Sequence, residues 1–414
     1  MFLYNLFIQI WLILNLLATL FCLYQFVISI AGLHKDEKFP ENKKKNRFAA
    51  IIAARNEENV IGNLIESLKL QDYPSDLLDI IVIADNCTDN TAEAAERAGA
   101  IVYKRFNKAE VGKGYVLTFA FEKIFAERDK YDAFCVFDAD NVVDKHFISE
   151  MNNAMGAGFE VAQGNRDMKN AADSWVSGCH ALFFWMENSF FNSARAHLSL
   201  PASVNGTGFM VSASLLKEIG YHVFTCTEDI EFTLQSCIAG RRVGWAPYAI
   251  VYDEQPVTLS QSTTQRIRWI KGFMQCCRRY TVPLFKRLYK KPDWVALDTC
   301  IYVTGLPVMI AGLLAGFMSF IFTVLRIFDP LCSAVSMTLL TLGGLLGCWL
   351  IAVLTLILQK KLHKNMVKAV LTYPIFNLLW IFIYIYCFFK KNVEWTPITH
   401  ARSISINELE SKAK

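Results

Sequence analysis

Over long stretches the sequence has no charge. Residues 1–33, 299–325, 331–359 and 369–389 hold no Lys, Arg, Asp or Glu. Each run is at least as long as the roughly 20 apolar residues that cross a bilayer, so four membrane spans are expected. The apolar excess, 53% against 19% charged, is gathered in these runs. Other absences narrow the function. The twelve cysteines form no Cys-x-x-Cys pair, which argues against a zinc site or a disulfide framework and fits a reducing cytosolic face. The N-terminus lacks the basic region and small-residue cleavage site of a secretory signal, so it reads as a retained anchor. No Gly-x-Gly-x-x-Gly follows the first predicted strand, which argues against a dinucleotide-binding dehydrogenase. Net charge is a mild +4, and no basic stripe with interleaved aromatics stands in the globular part, so nucleic acid is not an expected partner.

What is present falls into five regions: an N-terminal anchor (1–33), a charged, mixed-composition block (34–264), a basic amphipathic segment (265–293), about three further spans (294–391) and a polar tail (392–414). The basic residues near the anchor follow it (Lys35, Lys38, Lys43, Lys44, Lys45, Arg47). The positive-inside rule then puts the central block in the cytoplasm of a multi-pass cell-membrane protein. The loop 360–368 is basic too and falls on the same side. The segment from Gln265 interleaves Arg and Lys with Ile267, Trp269, Ile270 and Phe273, a pattern that suits a helix lying on the membrane face. Pro283 is expected to break that helix in two.

The central block alternates strands and helices. Residues 48–53 read as a buried strand, followed by Arg55-Asn56-Glu57-Glu58 and a helix. An Ile/Val-rich strand at 79–84 ends at Asp85, and a third strand covers 101–103. A Gly112-Lys113-Gly114 turn opens a helix, and the strand 133–137 delivers Asp138-Ala139-Asp140. This rhythm predicts an α/β fold with a parallel, doubly wound sheet. Such sheets bind ligands beyond the carboxyl ends of their strands, where Arg55, Glu57, Asp85 and Asp138 all stand. In an extended backbone Asp138 and Asp140 would project the same way, and paired hard oxygens suit Mg²⁺ or Mn²⁺. Further on, residues 161–164 are a predicted strand and 174–195 a long helix whose aromatics read as core rather than sugar platform. Asn205-Gly206-Thr207-Gly208 is a turn. Thr227-Glu228-Asp229 opens the helix 230–238. There Glu228 fits a capping box with Thr225, while Asp229 suits removal of a proton from an attacking hydroxyl.

Five elements in this order resemble a membrane-bound family 2 glycosyltransferase of the GT-A fold, of the kind that includes cellulose, hyaluronan and poly-N-acetylglucosamine synthases. They are the Arg55-Asn56-Glu57 turn, Asp85 with Asp89, Asp138-Ala139-Asp140, Thr227-Glu228-Asp229, and Gln265-Arg266-Ile267-Arg268-Trp269, which matches a Q-x-x-R-W signature. The resemblance covers about residues 47–280. It implies a Rossmann-like GT-A catalytic domain with transmembrane helices. Ala53, Arg55, Glu57 and Asp85 would hold the nucleotide, Lys113 would assist at the base or diphosphate, and Asp138 would contact the nucleotide. Asp140 would ligate Mg²⁺ or Mn²⁺, Asp229 would be the general base with Glu228 beside it, and Gln265, Arg268 and Trp269 would close over the diphosphate and acceptor. The Trp269 indole would offer a face to a sugar ring. Many relatives carry consecutive acids at the second-strand exit, whereas Asn86 follows Asp85 here.

The activity implied is inverting transfer of a glucose- or N-acetylglucosamine-type sugar from a UDP-sugar to a growing surface polysaccharide. Single transfer to a lipid or lipid-linked acceptor is the alternative, and a catalytically inactive membrane scaffold is the alternative of another class. Membrane lipids are expected partners. Four spans are fewer than large polymer-secreting synthases carry, which leaves room for a homo-oligomer or an accessory membrane partner.

Overall fold

The structure, a computed structural model, describes residues 2–325, 330–390 and 404–413. Part of the expected polar tail, 392–403 with Lys414, lies outside the described residues. After the helix α1 (Phe2–Ile30), the chain enters the parallel half of the sheet. The order is β1 (Phe48–Ala54), α2 (Ile61–Lys69), β2 (Leu78–Asp85), α3 (Thr91–Arg97), β3 (Ile101–Arg105), α4 (Lys113–Glu127) and β4 (Ala133–Asp138). Next come β5 (Val142–Val143), α5 (Phe147–Gly156), β6 (Val161–Met168), α6 (Trp175–Met186), a π-helical stretch (Glu187–Ser193) and α7 (Ala194–His197). The domain closes with β7 (Phe209–Ser212), α8 (Ala213–Ile219), α9 (Glu228–Ile238) and β8 (Gly244–Asp253). The described strands form one sheet in the order β3-β2-β1-β4-β7-β6-β8-β5.

β1 to β4 pair in parallel as expected. The second half is mixed: β7 runs antiparallel to β4 and β6, and β8 pairs parallel to β6 and antiparallel to β5. The strands are apolar on both sides because both faces are covered. Phe48, Ala50 and Ile52 pack with α2, α3 and α5, whereas Ala49 and Ile51 pack with α4, α8 and α9. The alternation of β1 thus feeds two separate cores.

The membrane-proximal part consists of α10 (Leu259–Lys290), α11 (Trp294–Val324), α12 (Pro330–Leu358) and α13 (Val367–Phe389), with a short α14 (Ile406–Ala413) near the C-terminus. Three described helical segments are long and apolar enough to cross a membrane: Asn5–Leu33, Trp294–Val324 and Lys364–Phe389. α12 adds the shorter apolar stretch Leu342–Leu358. Two expectations are corrected here. The amphipathic helix begins at Leu259, six residues before Gln265, with Thr258 accepting from the Gln261 amide as its N-cap. It also runs unbroken through Pro283. An interior proline costs about 3 kcal/mol, and burial of Tyr280 and Leu284 against α11 opposes that cost.

A buried ion pair ties the helices to the sheet domain. Arg195 on α7 donates from Nε to Asp298 on α11 at 3.1 Å and from Nη2 to Gln25 on α1 at 3.0 Å. Tyr24 donates its hydroxyl to the other Asp298 oxygen at 2.8 Å. Removing one partner of a buried pair leaves an uncompensated charge and costs about 3–5 kcal/mol. Asp298→Ala is therefore expected to lower the thermal midpoint of detergent-solubilised protein sharply. The paired replacement Arg195→Met with Asp298→Leu should recover much of that loss. Equal midpoints for wild type and Asp298→Ala would show that the pair does not hold the assembly together.

Candidate active site

The exits of β1 and β2 turn on asparagines. Asn56 after β1 has φ 58° and Asn86 after β2 has φ 48°, a left-handed backbone that asparagine tolerates better than most residues. Asn56 Oδ1 accepts from the Thr88 amide at 2.8 Å. Asn86 exchanges hydrogen bonds with Asn107, donating to its carbonyl and accepting from its amide, both at 3.0 Å. The bend explains the asparagine that follows Asp85. Asp85 itself accepts from Arg105 Nη1 at 2.7 Å, and both side chains are buried.

β4 ends at Asp138, and Asp140 lies in the turn that follows. Both line the same cavity, and it is the turn, not strand alternation, that brings Asp140 there. Asn141 makes that turn, its Oδ1 accepting from the Asp138 amide at 3.1 Å and its own amide donating to the Asp138 carbonyl at 3.1 Å. Lys113 Nζ donates to Asp138 and, at 2.8 Å, to the Gly206 carbonyl.

The helix α9 starts at Glu228, and its N-cap Thr227 makes no side-chain cap bond. The capping box read from Thr225 and Glu228 does not form, because Thr225 lies outside the helix with its hydroxyl donating to the Thr227 carbonyl. Glu231 holds the loop instead. Its Oε2 accepts from the Phe224 and Thr225 amides at 2.8 and 2.9 Å, while its Oε1 accepts from Tyr280 of α10 at 2.7 Å. Glu228 is thereby left for the cavity.

One cavity of about 1000 Å³ takes in every residue to which the sequence assigned a role: Ala53, Arg55, Glu57, Asp85, Lys113, Asp138, Asp140, Glu228, Asp229, Gln265, Arg268 and Trp269. Burial, then the charge of Asp229, pushes the Glu228 carboxyl up to about 7, against the pull of Lys113 and Arg268. Burial also raises Asp229, with Lys113 and Arg166 opposing it. The Gln265 Oε1 is buried without a hydrogen-bond partner. Trp269 lines the cavity from within an aromatic cluster. Phe183 and Trp380 stack on it at centroid distances of 6.2 and 6.4 Å and interplanar angles of 19° and 21°. The Phe183 and Trp380 centroids are themselves 5.9 Å apart, so the three rings form one cluster and the two partners do not sandwich the indole.

Several lining residues were not singled out from the sequence. Arg166 lies on the outer half of β6, beyond the predicted 161–164, where polar residues gave no strand signal. It is held by Asp253 through Nε at 2.9 Å and through Nη2, and its Nη1 donates to the Asn205 carbonyl at 3.0 Å. Glu187 stands among the aromatics of the expected 174–195 helix, and an acid in that setting was the available signal. Phe183, Phe184, Phe190 and Phe191 line the cavity as well as the core. Tyr373, Asn377, Trp380 and Tyr384 of α13 also line it, at helical spacing inside an apolar span.

The carboxylates suit a divalent cation. Asp253 is raised by burial, with Asp140 and Asp138 pushing the same way and Arg166 opposing, so negative charge is in excess beside the β4 exit. Among the described residues, no group of three or more His, Cys, Asp or Glu is placed to hold an ion. Asp140 would supply a carboxylate oxygen, and a diphosphate and water the rest, which is the mode Mg²⁺ favours.

The mixed sheet, with its parallel first half and antiparallel β7, is that of a glycosyltransferase of the GT-A fold. The chain belongs to glycosyltransferase family 2: a family profile described as "Glycosyltransferase like family 2" matches residues 46–272. The chain is 28% identical over 268 residues to a probable glycosyltransferase, YdaM, of Bacillus subtilis, covering 61% of this chain and 62% of that protein. It is 27% identical over 233 residues to a beta-monoglucosyldiacylglycerol synthase of Synechocystis, covering 54% of this chain and 47% of that protein. The chain thus spans about half to three-fifths of these relatives' own length. Among solved structures, a mannosyltransferase from Pyrobaculum calidifontis in complex with GDP-Man and Mn²⁺ superposes with a TM-score of 0.55 at 15% identity. That match covers 87% of this chain and 99% of that one, and it shows the fold.

The raised Glu228 has a consequence for stability. A carboxyl whose folded-state pKa lies above its ordinary value favours the folded state at low pH, and that contribution is lost as pH rises from about 4.5 to about 7. Glu228→Gln, which resembles the protonated form, should melt above wild type at pH 8 and level with it at pH 4. A difference that is the same at both pH values would show that Glu228 is not held protonated.

Proposed function

We propose that this protein is an inverting glycosyltransferase that takes the sugar of a UDP-sugar to a hydroxyl of a membrane-held acceptor, with its active site on the cytoplasmic face. The observation that carries the reading is the joining of three sets of groups in one cavity: the strand exits with Asp138 and Asp140, the acids at the start of α9, and Gln265 and Arg268 on α10. The first two strand exits, with Ala53, Arg55, Glu57 and Asp85, would bind uridine. Asp138 would contact the nucleotide and Asp140 would hold Mg²⁺ or Mn²⁺, which when bound neutralises the diphosphate.

The chemistry then falls to residues of the chain. Asp229 takes the proton from the acceptor hydroxyl, whose oxygen attacks the anomeric carbon opposite the departing diphosphate. The bond from that carbon to the diphosphate breaks, and Arg268 and Lys113 oppose the negative charge that develops there. Glu228, held up near 7, shares its site with Asp229, and a proton on it relieves the repulsion between the two carboxyls.

A growing polysaccharide and a lipid alcohol are the two acceptors that suit this chemistry. The lipid is favoured by the far wall of the cavity. There Phe183, Phe190, Phe191, Phe273 and Tyr302 meet the face of α13 that carries Tyr373, Trp380 and Tyr384. An aromatic wall between the catalytic acids and the apolar helices fits alkyl chains better than a hydrated polymer.

Purified protein given Mg²⁺ or Mn²⁺, a panel of labelled UDP-sugars, and dioleoylglycerol micelles or a short β-linked oligosaccharide should transfer from one of the sugars. Asp140→Asn and Asp229→Asn should each lower turnover by about 10²–10⁴-fold, the range of a lost general base, and a chelator should abolish it in wild type. A single-sugar lipid product decides against processive synthesis. Absence of transfer and hydrolysis with every UDP-sugar, together with wild-type behaviour of both variants in cells, would establish an inactive scaffold.

A further inference from the structure

Glu187 is the first residue of the π-helical stretch that follows α6. The wider turn of a π segment is a frequent feature of functional sites. Glu187 lines the cavity from within the aromatic wall, between Phe183 and Phe184 on one side and Phe190 and Phe191 on the other. A carboxyl in such surroundings is costly unless something polar meets it. The protein meets it only in part. With the Asn205 amide nitrogen turned toward it, Asn205 donates to Glu187 Oε1 at 3.2 Å. Arg166, the nearby cation, is already engaged by Asp253 and by the Asn205 carbonyl, and its guanidinium lies 4.0 Å from the centre of the Phe184 ring. Glu187 is therefore not one half of an ion pair.

The link to the catalytic acid runs through two adjacent residues. Asn205 meets Glu187, and the next residue, Gly206, faces Asp229. Gly206 has φ 81°, and a Cβ there would stand 3.2 Å from Asp229 Oδ2. Glu187 and Asp229 thus flank the same bend of the chain, one on the aromatic side and one at the start of α9. Burial pushes the Glu187 carboxyl up to about 7, against the pull of Arg166 and with Asp229 adding to the rise, so it can donate to a hydroxyl oxygen as well as accept from a hydroxyl.

We propose that Glu187 is an acceptor-binding residue: its carboxyl holds the acceptor's hydroxyl against Asp229, while the acceptor's apolar body lies along the surrounding phenylalanines. This rests on the transferase reading above. In the reaction the hydroxyl proton passes to Asp229, the new bond forms between the hydroxyl oxygen and the anomeric carbon, and the bond to the diphosphate breaks. Glu187 orients the oxygen and ends with the proton it began with.

The test compares Glu187→Ala and Glu187→Gln with wild type, using dioleoylglycerol and the oligosaccharide as acceptor probes. Three quantities are read: acceptor KM, donor KM, and hydrolysis of the UDP-sugar without acceptor. Glu187→Ala should raise acceptor KM by about tenfold to a hundredfold, as loss of a hydrogen bond from a charged or strongly polar group does. Donor KM and hydrolysis should stay at wild-type values, and Glu187→Gln, which keeps shape and polarity, should restore most of the acceptor binding. An unchanged acceptor KM in Glu187→Ala overturns the proposal, as does a rise in donor KM of equal size. If Glu187→Ala does not fold, Glu187→Gln and Asn205→Ala take its place: a wild-type acceptor KM in both overturns the proposal, and a rise in Asn205→Ala alone supports it. Wild-type protein that transfers to neither probe refutes the transferase reading and not the geometry at Glu187 alone.

Discussion

Negative charge kept away from bulk water governs how the cavity is built. Asp138, Asp140, Glu187, Glu228, Asp229 and Asp253 surround a single space, and their mutual repulsion is offset by few cations. The buried Arg166–Asp253 pair fixes the centre. Asp253 also accepts from Asn141 at 3.0 Å and from Gln255 at 2.7 Å, so the turn carrying Asp140, the end of β8 and the middle of β6 are locked through one carboxylate. Well-satisfied buried pairs of this kind specify geometry more than they add stability. What remains unbalanced is negative charge facing the cavity, the condition under which a divalent ion and its diphosphate are drawn in.

The acids at the start of α9 depend on a different support. Glu231 binds two loop amides and the Tyr280 hydroxyl, and Gln275 accepts from the Cys226 amide at 2.9 Å. Gly272 lets α10 approach so closely that a Cβ there would lie 2.4 Å from Thr227. The loop before α9 is therefore shaped by α10 as much as by the sheet. The helix that brings Gln265 and Arg268 to the cavity also holds Glu228 and Asp229 in place.

Much of the parallel half of the fold was readable because its signals are local. Short Ile/Val/Ala-rich runs ending in Arg55, Asp85 and Asp138 mark strand exits, and the exits of parallel strands must share one edge. The ordered motifs gathered the site residues for the same reason. What escaped depended on contacts distant in sequence. The outer half of β6 is polar because Arg166 faces an interior cavity, so it lacks the apolar alternation by which strands are read. The capping box at Thr225 was an acceptable local pattern, displaced by the longer-range pull of Glu231 and Tyr280. Trp269 matched its signature, yet its surroundings come from α6 and α13, which neither composition nor spacing brings together. Pro283 was read by its usual effect on an isolated helix, while packing against α11 keeps the rod whole.

The unbroken course of α10 has a mechanical side. A helix of 32 residues is about 48 Å long, and its C-terminal end is separated from the apolar helix α11 by only three residues, Lys291 to Asp293. Gln265 and Arg268 ride near the opposite end of the same rod. A stiff beam transmits tilt where a flexible linker would absorb it, so a swing of about 5° at the α11 end displaces a point about 30 Å along the beam by about 2–3 Å, given the rise per residue. That is the length of a hydrogen bond. The angle at which α11 meets its surroundings and the position of Arg268 in the cavity are, in this architecture, one degree of freedom.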